Sequence, residues 1–363
     1  MGPVALPDHP CIIDGMKAIT FAGFRDVEYT TVEDPRIEQP DDVIVRVAAA
    51  GICGSDLHPY HEREEGLDYG AVMGHEFVGE VVEVGAEVAK IKVGDQVYCP
   101  FTTNCGECYY CRAGLTSRCD RGQLFGWVGM GEGLQGCQAE AVRVPLADST
   151  LAVVPRGVTQ EQALLLGDVA ATGYFCAEQA GIHPDGLYAV IGCGPVGIMA
   201  ILAARHLGAE MVYAVDTVPE RLELARRAGA VPIDFRGEDP VLALHEAAEG
   251  RGADAVMEAV GSFEAHRSAI ELVRPGGTVS SVGVHTEAEF AFTPAEAYDK
   301  NLTYRVGRCP ARVYMERLAP FVRDGELDID GVISHRFPLE QGPEAYRLFD
   351  EKRDQCTKVL LTP

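Results

Sequence analysis

The densest chemistry in this sequence lies between Cys105 and Cys119. Cys105-Gly106-Glu107-Cys108-Tyr109-Tyr110-Cys111 is followed by seven residues and then Cys119. That spacing suits four thiolates closing tetrahedrally on one structural zinc ion, with no open position. Such a set carries net negative charge, so backbone N–H groups of the loop are expected to point at the sulfurs. The alternatives are disulfides, free thiols or a nucleic-acid zinc ribbon. A ribbon needs a basic surface, and only Arg112, Arg118 and Arg121 lie near it. Two other patches hold single ligand candidates: Gly51-Ile52-Cys53-Gly54-Ser55-Asp56-Leu57-His58 and Gly74-His75-Glu76. Scattered ligands are the pattern expected of a second metal that keeps an exchangeable position. Alone, His75 would read as a packed core histidine; beside Cys53 and the four-cysteine run it reads as a ligand.

Downstream, Gly192-Cys193-Gly194-Pro195-Val196-Gly197 follows a strand-like run and opens a helical one, which is the context of a dinucleotide fingerprint. Gly192, Gly194 and Gly197 allow a tight turn, a close pyrophosphate and close helix–strand packing, and the helix N-terminus faces the phosphates. Asp216, 19 residues after Gly197, ends the next strand. A carboxylate there accepts from the adenosine ribose and repels a 2′-phosphate, favouring NAD over NADP; Arg221 nearby pulls the other way.

These groups need elements to hold them, and the chain is long enough, at 363 residues, for two domains. The first portion is β-barrel grammar: Val43 to Val47, Phe77 to Gly85 and Asp95 to Tyr98 are short β-branched runs bounded by glycine, proline and acidic residues. After about Pro155 the grammar changes. Thr159 caps a helix running to Leu166. Strands at Tyr188–Ile191, Met211–Val215, Asp254–Val260 and Thr278–Val284 then alternate with helices at Val196–Leu207 and Pro219–Ala228. That alternation predicts a doubly wound parallel sheet. From about Tyr304 come helices near Val313–Val322 and Pro343–Glu351 and a last strand at Lys358–Leu361.

The formal charge of −24 argues against nucleic acid and anionic membrane surfaces as partners. No stretch approaches the ~20 apolar residues that span a bilayer. Met1 to Asp14 has no basic start or apolar run, so it reads as an arm rather than a secretory signal. Twelve cysteines without a signal point to reduced thiols and a cytoplasmic setting. Those without a ligand role (Cys11, Cys99, Cys137, Cys176, Cys193, Cys309 and Cys356) read as small apolar packing residues.

The four-cysteine run, the Gly-His-Glu patch and the glycine fingerprint, in this order, resemble the zinc-dependent medium-chain alcohol dehydrogenase family from about Met16 to Leu361. The resemblance implies a GroES-like β-barrel catalytic domain over residues 1–165 that bears the zinc lobe. A Rossmann NAD-binding domain over 166–303 and a return to the catalytic domain over 304–363 complete it. It implies two zinc ions per subunit, one catalytic and one structural. It also implies a small alcohol or aldehyde as partner, and a homo-oligomer, tetramer or dimer. Cys53 and His75 take the first two catalytic ligand positions. Where many relatives have a cysteine before a Thr-Gly-Tyr turn, this sequence has Asp168, before Thr172-Gly173-Tyr174. A carboxylate is an acceptable zinc ligand and would be costly to bury without a cation; the alternative is a helix cap. A cysteine, histidine and aspartate set looks like the formaldehyde dehydrogenase and dismutase branch, although the long loop of that branch is not evident.

By the same resemblance Asp56 orients His75, Glu76 lies behind the metal, and Ser55 and His58 relay the alcohol proton. His61 is an alternate relay. Arg221 sits beside the ribose, compatible with NAD. Thr172, Pro195, Val196, Val260, Gly283, Val284 and Lys358 line the cofactor. Tyr60, Phe101, Phe125, Trp127 and Met130 are candidates for the substrate pocket, and Gly126 to Gln138 is either a mobile rim or a fixed turn. The implied reaction is hydride transfer between an alcohol and NAD. Oxidation or dismutation of an aldehyde hydrate is an alternative, and a non-catalytic NAD-binding sensor or scaffold is another of a different class.

Overall fold

In the computed structural model, residues 15–363 are described; the expected arm over 1–14, with Cys11, lies outside them. Strands β1 (Met16–Gly23) and β2 (Asp26–Val32) pair as an antiparallel hairpin. Strands β3 (Val43–Ile52), β4 (Phe77–Val84) and β5 (Gln96–Tyr98) form the centre of a second sheet. A small ribbon, β6 (Trp127–Gly129) paired antiparallel with β7 (Glu132–Leu134), lies within the Gly-rich segment. Strands β8 (Ala141–Val144) and β9 (Ala152–Val153) extend the second sheet. Burial along β3 is nearly continuous, because both of its faces are covered.

Six parallel strands follow: β10 (Leu187–Ile191), β11 (Met211–Asp216), β12 (Val231–Asp234), β13 (Ala253–Glu258), β14 (Val273–Ser281) and β15 (Thr303–Val306), in the order β12-β11-β10-β13-β14-β15. The order reverses direction at β10, which is where such sheets bind ligands beyond their carboxyl ends. Strands β12 and β15 carry no strong apolar signal of their own. Because β15 pairs with β14, the parallel sheet runs to Val306 rather than closing at 303. Near the end of the chain β16 (His335–Pro338) pairs with β17 (Val359–Thr362), and β17 pairs antiparallel with β3. The chain thus leaves the first sheet, builds the second and comes back.

Helix Gln160–Gly167 starts at a capping box, the Thr159 side chain accepting from Gln162 N and the Gln162 side chain from Thr159 N. Its buried face packs on helix Ala311–Arg323 and on β3 and β4. It therefore belongs to both halves, and one core runs from Val78 and Tyr98 through Leu164 to Tyr188 and Met257. The next helix, Val169–Ala180, packs against helix Pro195–His206 and against β13 and β14. Asp168 sits at the break between the two helices, so a ligand candidate of the first half is delivered by the wall of the second. Cys99, Cys137, Cys176, Cys193, Cys309 and Cys356 are buried and unpaired, as packing residues should be.

Candidate metal centre and cofactor cleft

Cys53 follows β3, His75 and Glu76 precede β4, and Asp168 comes from the helix break. Their donor atoms lie within 4.8 Å of one another, and all four residues are buried. Asp168 Oδ2 is 3.4 Å from Cys53 Sγ and 3.4 Å from His75 Nε2. The Asp168 side chain caps no helix. Its other oxygen, Oδ1, accepts from the Thr172 hydroxyl at 3.1 Å, which leaves Oδ2 turned to the cysteine and histidine. Asp56 Oδ1 stands 3.0 Å from His75 Nδ1, the contact that would leave Nε2 free to ligate a metal.

Two groups that the sequence did not single out complete this support. Gln138 is fully buried; its Nε2 donates to Gly51 O at 2.9 Å and to Asp56 Oδ2 at 3.3 Å, and its Oε1 accepts from Tyr346 OH at 2.8 Å. No sequence signal marks them, since Asp56, Gln138 and Tyr346 come from separate parts of the chain. Lys358 is a correction. It does not line the cofactor cleft but is 0% exposed and pairs with Glu76 Oε2. A buried carboxylate demands a cation, and position along the chain does not reveal that demand. Burial opposes the Lys358 charge, but Glu76, Cys53 and Asp168 outweigh it and raise its pKa.

The donor set fits zinc. A thiol, an imidazole and a carboxylate are all zinc ligands, and Glu76 Oε1 is buried beside them with no hydrogen-bond partner. Burial, Asp168 and Glu76 push the Cys53 thiol up, so a cation is what would make it a thiolate. The second cluster fits as well. Cys105, Cys108, Cys111 and Cys119 bring their sulfurs within 4.8 Å of one another, and no disulfide links them. The N–H groups of Cys105 and Arg121 donate to Cys119 Sγ at 3.2 and 3.4 Å, and that of Cys108 to Cys105 Sγ at 3.3 Å. Although burial opposes it, the Cys105 thiol is drawn down to about 6 by the N–H groups of Glu107 and Cys108 and by Cys119 and Arg121.

A cleft of about 1070 Å³ joins the first cluster to the parallel sheet. Cys53, Ser55, His58, Asp168 and Thr172 line one end. Ser55 Oγ is 3.2 Å from His75 Nε2. His58 is buried with Nδ1 unpartnered, and burial lowers its pKa. His61 also faces the cleft, but its Nε2 is held 2.6 Å from Asp350 Oδ1. Gly192, Gly194, Pro195 and Val196 line the middle. Gly197 lies beneath, where a Cβ would strike Gly192 O. Asp216, Arg221, Val260, Gly283 and Val284 line the same cleft. Asp216 accepts from Cys193 N at 2.7 Å, Thr217 N at 2.6 Å and Val218 N at 2.9 Å.

None of the aromatic or soft candidates for the substrate pocket lines this cleft. Tyr60 packs on Tyr346 and Phe125 on Phe77, both in the core, while Met130 is 95% exposed. The Phe101 and His75 rings stand edge to face, with centroids 6.4 Å apart.

Residues 39–156 match the family described as "Alcohol dehydrogenase GroES-like domain", and residues 195–322 match "Zinc-binding dehydrogenase". With the barrel, the parallel sheet and two metal clusters on the page, the chain belongs to the zinc-dependent medium-chain alcohol dehydrogenases. Zinc-type alcohol dehydrogenase B of Aspergillus flavus is 41% identical over 94% of this chain and 80% of its own length. A probable zinc-binding alcohol dehydrogenase of Mycobacterium tuberculosis is 39% identical over 96% of this chain and 89% of its own. The solved alcohol dehydrogenase of Thermus sp. ATN1 is 42% identical, covers 96% of this chain and 99% of its own, and superposes with a TM-score of 0.89. The family implies zinc and an oxidoreductase. No helix among the described residues is long and apolar enough to cross a membrane.

Proposed function

We propose that this zinc-dependent oxidoreductase transfers a hydride between a small alcohol, or the aldehyde in reverse, and NAD. The observation that carries the proposal is the shared cleft: Cys53 and Asp168 line it at one end, and the glycine fingerprint lines it within the same walls. Cys53, His75 and Asp168 would hold the catalytic zinc, and the four-cysteine lobe a structural one. When bound, zinc supplies Lewis acidity toward an alcohol or carbonyl oxygen, and NAD the hydride acceptor.

The chain's own residues then have separate tasks. The Ser55 hydroxyl, on the cleft wall beside His75, takes the alcohol proton as it releases its own, and the His58 imidazole, which lines the same cleft, accepts the released proton on its way to solvent. Asp56 and Thr172 hold His75 and Asp168 in the orientation a metal needs. Asp216 supports NAD: of about four lone-pair sites on a carboxylate, backbone N–H groups take three, and one is left for a ribose hydroxyl.

The aspartate in the donor set also favours a second reading, in which an aldehyde hydrate is oxidised or dismuted. Acid and alcohol formed together, with cofactor retained through turnover, would select it. Metal content and a panel of alcohols and aldehydes with NAD and NADP, on wild type and Asp168→Asn, test the whole proposal. Asp168→Asn is expected to lower turnover by about a hundred-fold or more, as removal of a charged ligand weakens metal binding. Wild-type turnover and full metal content in that variant would remove Asp168 from the site. A panel without any change at the nicotinamide absorbance band would remove the activity.

A further inference from the structure

Glu258 has no part in the site described so far, yet it is the most fully engaged carboxylate beside it. It ends β13 and is 0% exposed. Its Oε1 accepts the N–H groups of Val260 and Gly261, both at 2.7 Å. Its Oε2 accepts the Ser281 hydroxyl at 2.7 Å and lies 3.3 Å from His285 Nε2. Ser281 Oγ and His285 Nε2 are themselves 2.8 Å apart, and His285 stacks on buried His266 with ring centroids 4.6 Å apart. The Glu258 backbone repeats the tie, its carbonyl accepting from Val282 N at 3.0 Å. Burial works against the charge, but the bonds from His285, Gly261, Ser281 and Val260 outweigh it and lower the carboxyl pKa. One side chain thus fastens the turn after β13 to the turn after β14.

The two turns press backbone on backbone. A Cβ at Gly261 would strike the Val284 carbonyl, and one at Gly283 would strike Gly261 N. Val260 and Val284 ride on these turns and line the cleft. Val260 also fills the space that a side chain on Gly192 would need. The strand order fixes what they would face. Asp216 ends β11 on one side of β10, and β13 and β14 lie on the other. Helix Val169–Ala180 packs on β13 and β14, with Asp168 at its start. A dinucleotide with its pyrophosphate at the fingerprint and its adenosine ribose at Asp216 lays its other half over β13 and β14.

We infer that Glu258, through Ser281 and His285, is a positioning residue that sets Val260 and Val284 against the nicotinamide half of the cofactor, an inference that rests on the nicotinamide reading of the cleft. Glu258 touches neither zinc donors nor the reacting atoms. Its effect is therefore on cofactor affinity, and on one half of the cofactor only.

The test titrates zinc-loaded protein with NADH and with ADP-ribose, which carries the adenosine half and pyrophosphate but no nicotinamide. Glu258→Ala is expected to weaken NADH by about ten-fold or more, since it removes the acceptor of two part-buried N–H groups and the partner of Ser281 and His285, and to leave ADP-ribose within about two-fold. Glu258→Gln keeps an acceptor at Oε1 and should recover most of the loss. Should Glu258→Ala not fold, Ser281→Ala carries the test, with NADH weakened about three-fold and ADP-ribose unchanged. Equal weakening of both ligands would mean general loosening and would overturn the inference, as would unchanged NADH binding in both alanine variants. Wild type that binds neither NADH nor NADPH would instead overturn the nicotinamide reading, and this inference with it.

Discussion

The two metal clusters are built on opposite principles. The four-cysteine lobe draws every donor from one loop between Cys105 and Cys119, and backbone N–H groups of that loop orient its sulfurs. The Cys53, His75 and Asp168 cluster draws its donors from three separated segments. Side chains rather than backbone orient them: Asp56, from the Cys53 segment and backed by the distant Gln138, holds His75, and Thr172, one helical turn on, holds Asp168. A local site can be complete before the rest of the fold forms. A dispersed site exists only when the barrel, the helix break at Asp168 and the returning strand β17 are all in place. Damage to the first should therefore stay local, and damage to the second should register in chemistry.

Paired substitutions put that contrast at risk. Cys53→Ala is expected to lower kcat/KM by about a thousand-fold or more, and to leave one zinc per chain where wild type holds two, as read by metal analysis. Cys111→Ser is also expected to leave one zinc, but with turnover per chain held within about ten-fold and stability lowered by about 2–4 kcal/mol. Thermal midpoint and initial rate, measured on the same samples, separate the two. Equal loss of activity from both variants would erase the distinction between a shaping lobe and a reacting site.

Lys358 tests the buried surroundings of the dispersed cluster. Removing its ammonium strands Glu76 in a site that is already rich in anions. Lys358→Met should cost about 3–5 kcal/mol in denaturant unfolding, and the double variant Lys358→Met with Glu76→Gln should recover much of it. If the single variant is as stable as wild type, the pair does not neutralise the pocket.

The same contrast explains what could be read before the fold was known. The lobe was legible because its chemistry is a spacing. The fingerprint was legible because Gly192, Gly194 and Gly197 stand between a strand and a helix that periodicity reveals. Asp168 was legible only by matching its place before Thr172-Gly173-Tyr174 to relatives, since nothing local distinguishes it from a helix cap. Strands β12 and β15 were missed because Val231–Asp234 and Thr303–Val306 are short, partly exposed edge strands whose pattern is set by a neighbour. Lys358 reads as a cofactor residue only by resemblance to relatives; its pairing with Glu76 is not legible, because the partner lies far away in the sequence and burial of an ion pair leaves no mark on the residues beside it.

The smallest expected effect discriminates most sharply between the two ways of building a site. Thr172→Val keeps the size of the side chain and removes the hydroxyl that donates to Asp168 Oδ1. Freed of that bond, the carboxylate can rotate away from Cys53 and His75. Zinc affinity at the dispersed cluster is then expected to fall by about ten-fold, within the range known for partners that orient metal ligands. Competition with a chelator of graded strength measures it, and the lobe serves as an internal reference. The N–H groups that orient the lobe have no comparably conservative substitution, because only proline removes a backbone N–H and it also fixes φ. One zinc lost more readily while the other holds its wild-type affinity is the result expected of side-chain orientation. Both zincs retained at wild-type affinity would show that packing around Asp168, rather than the Thr172 hydroxyl, holds that ligand in place.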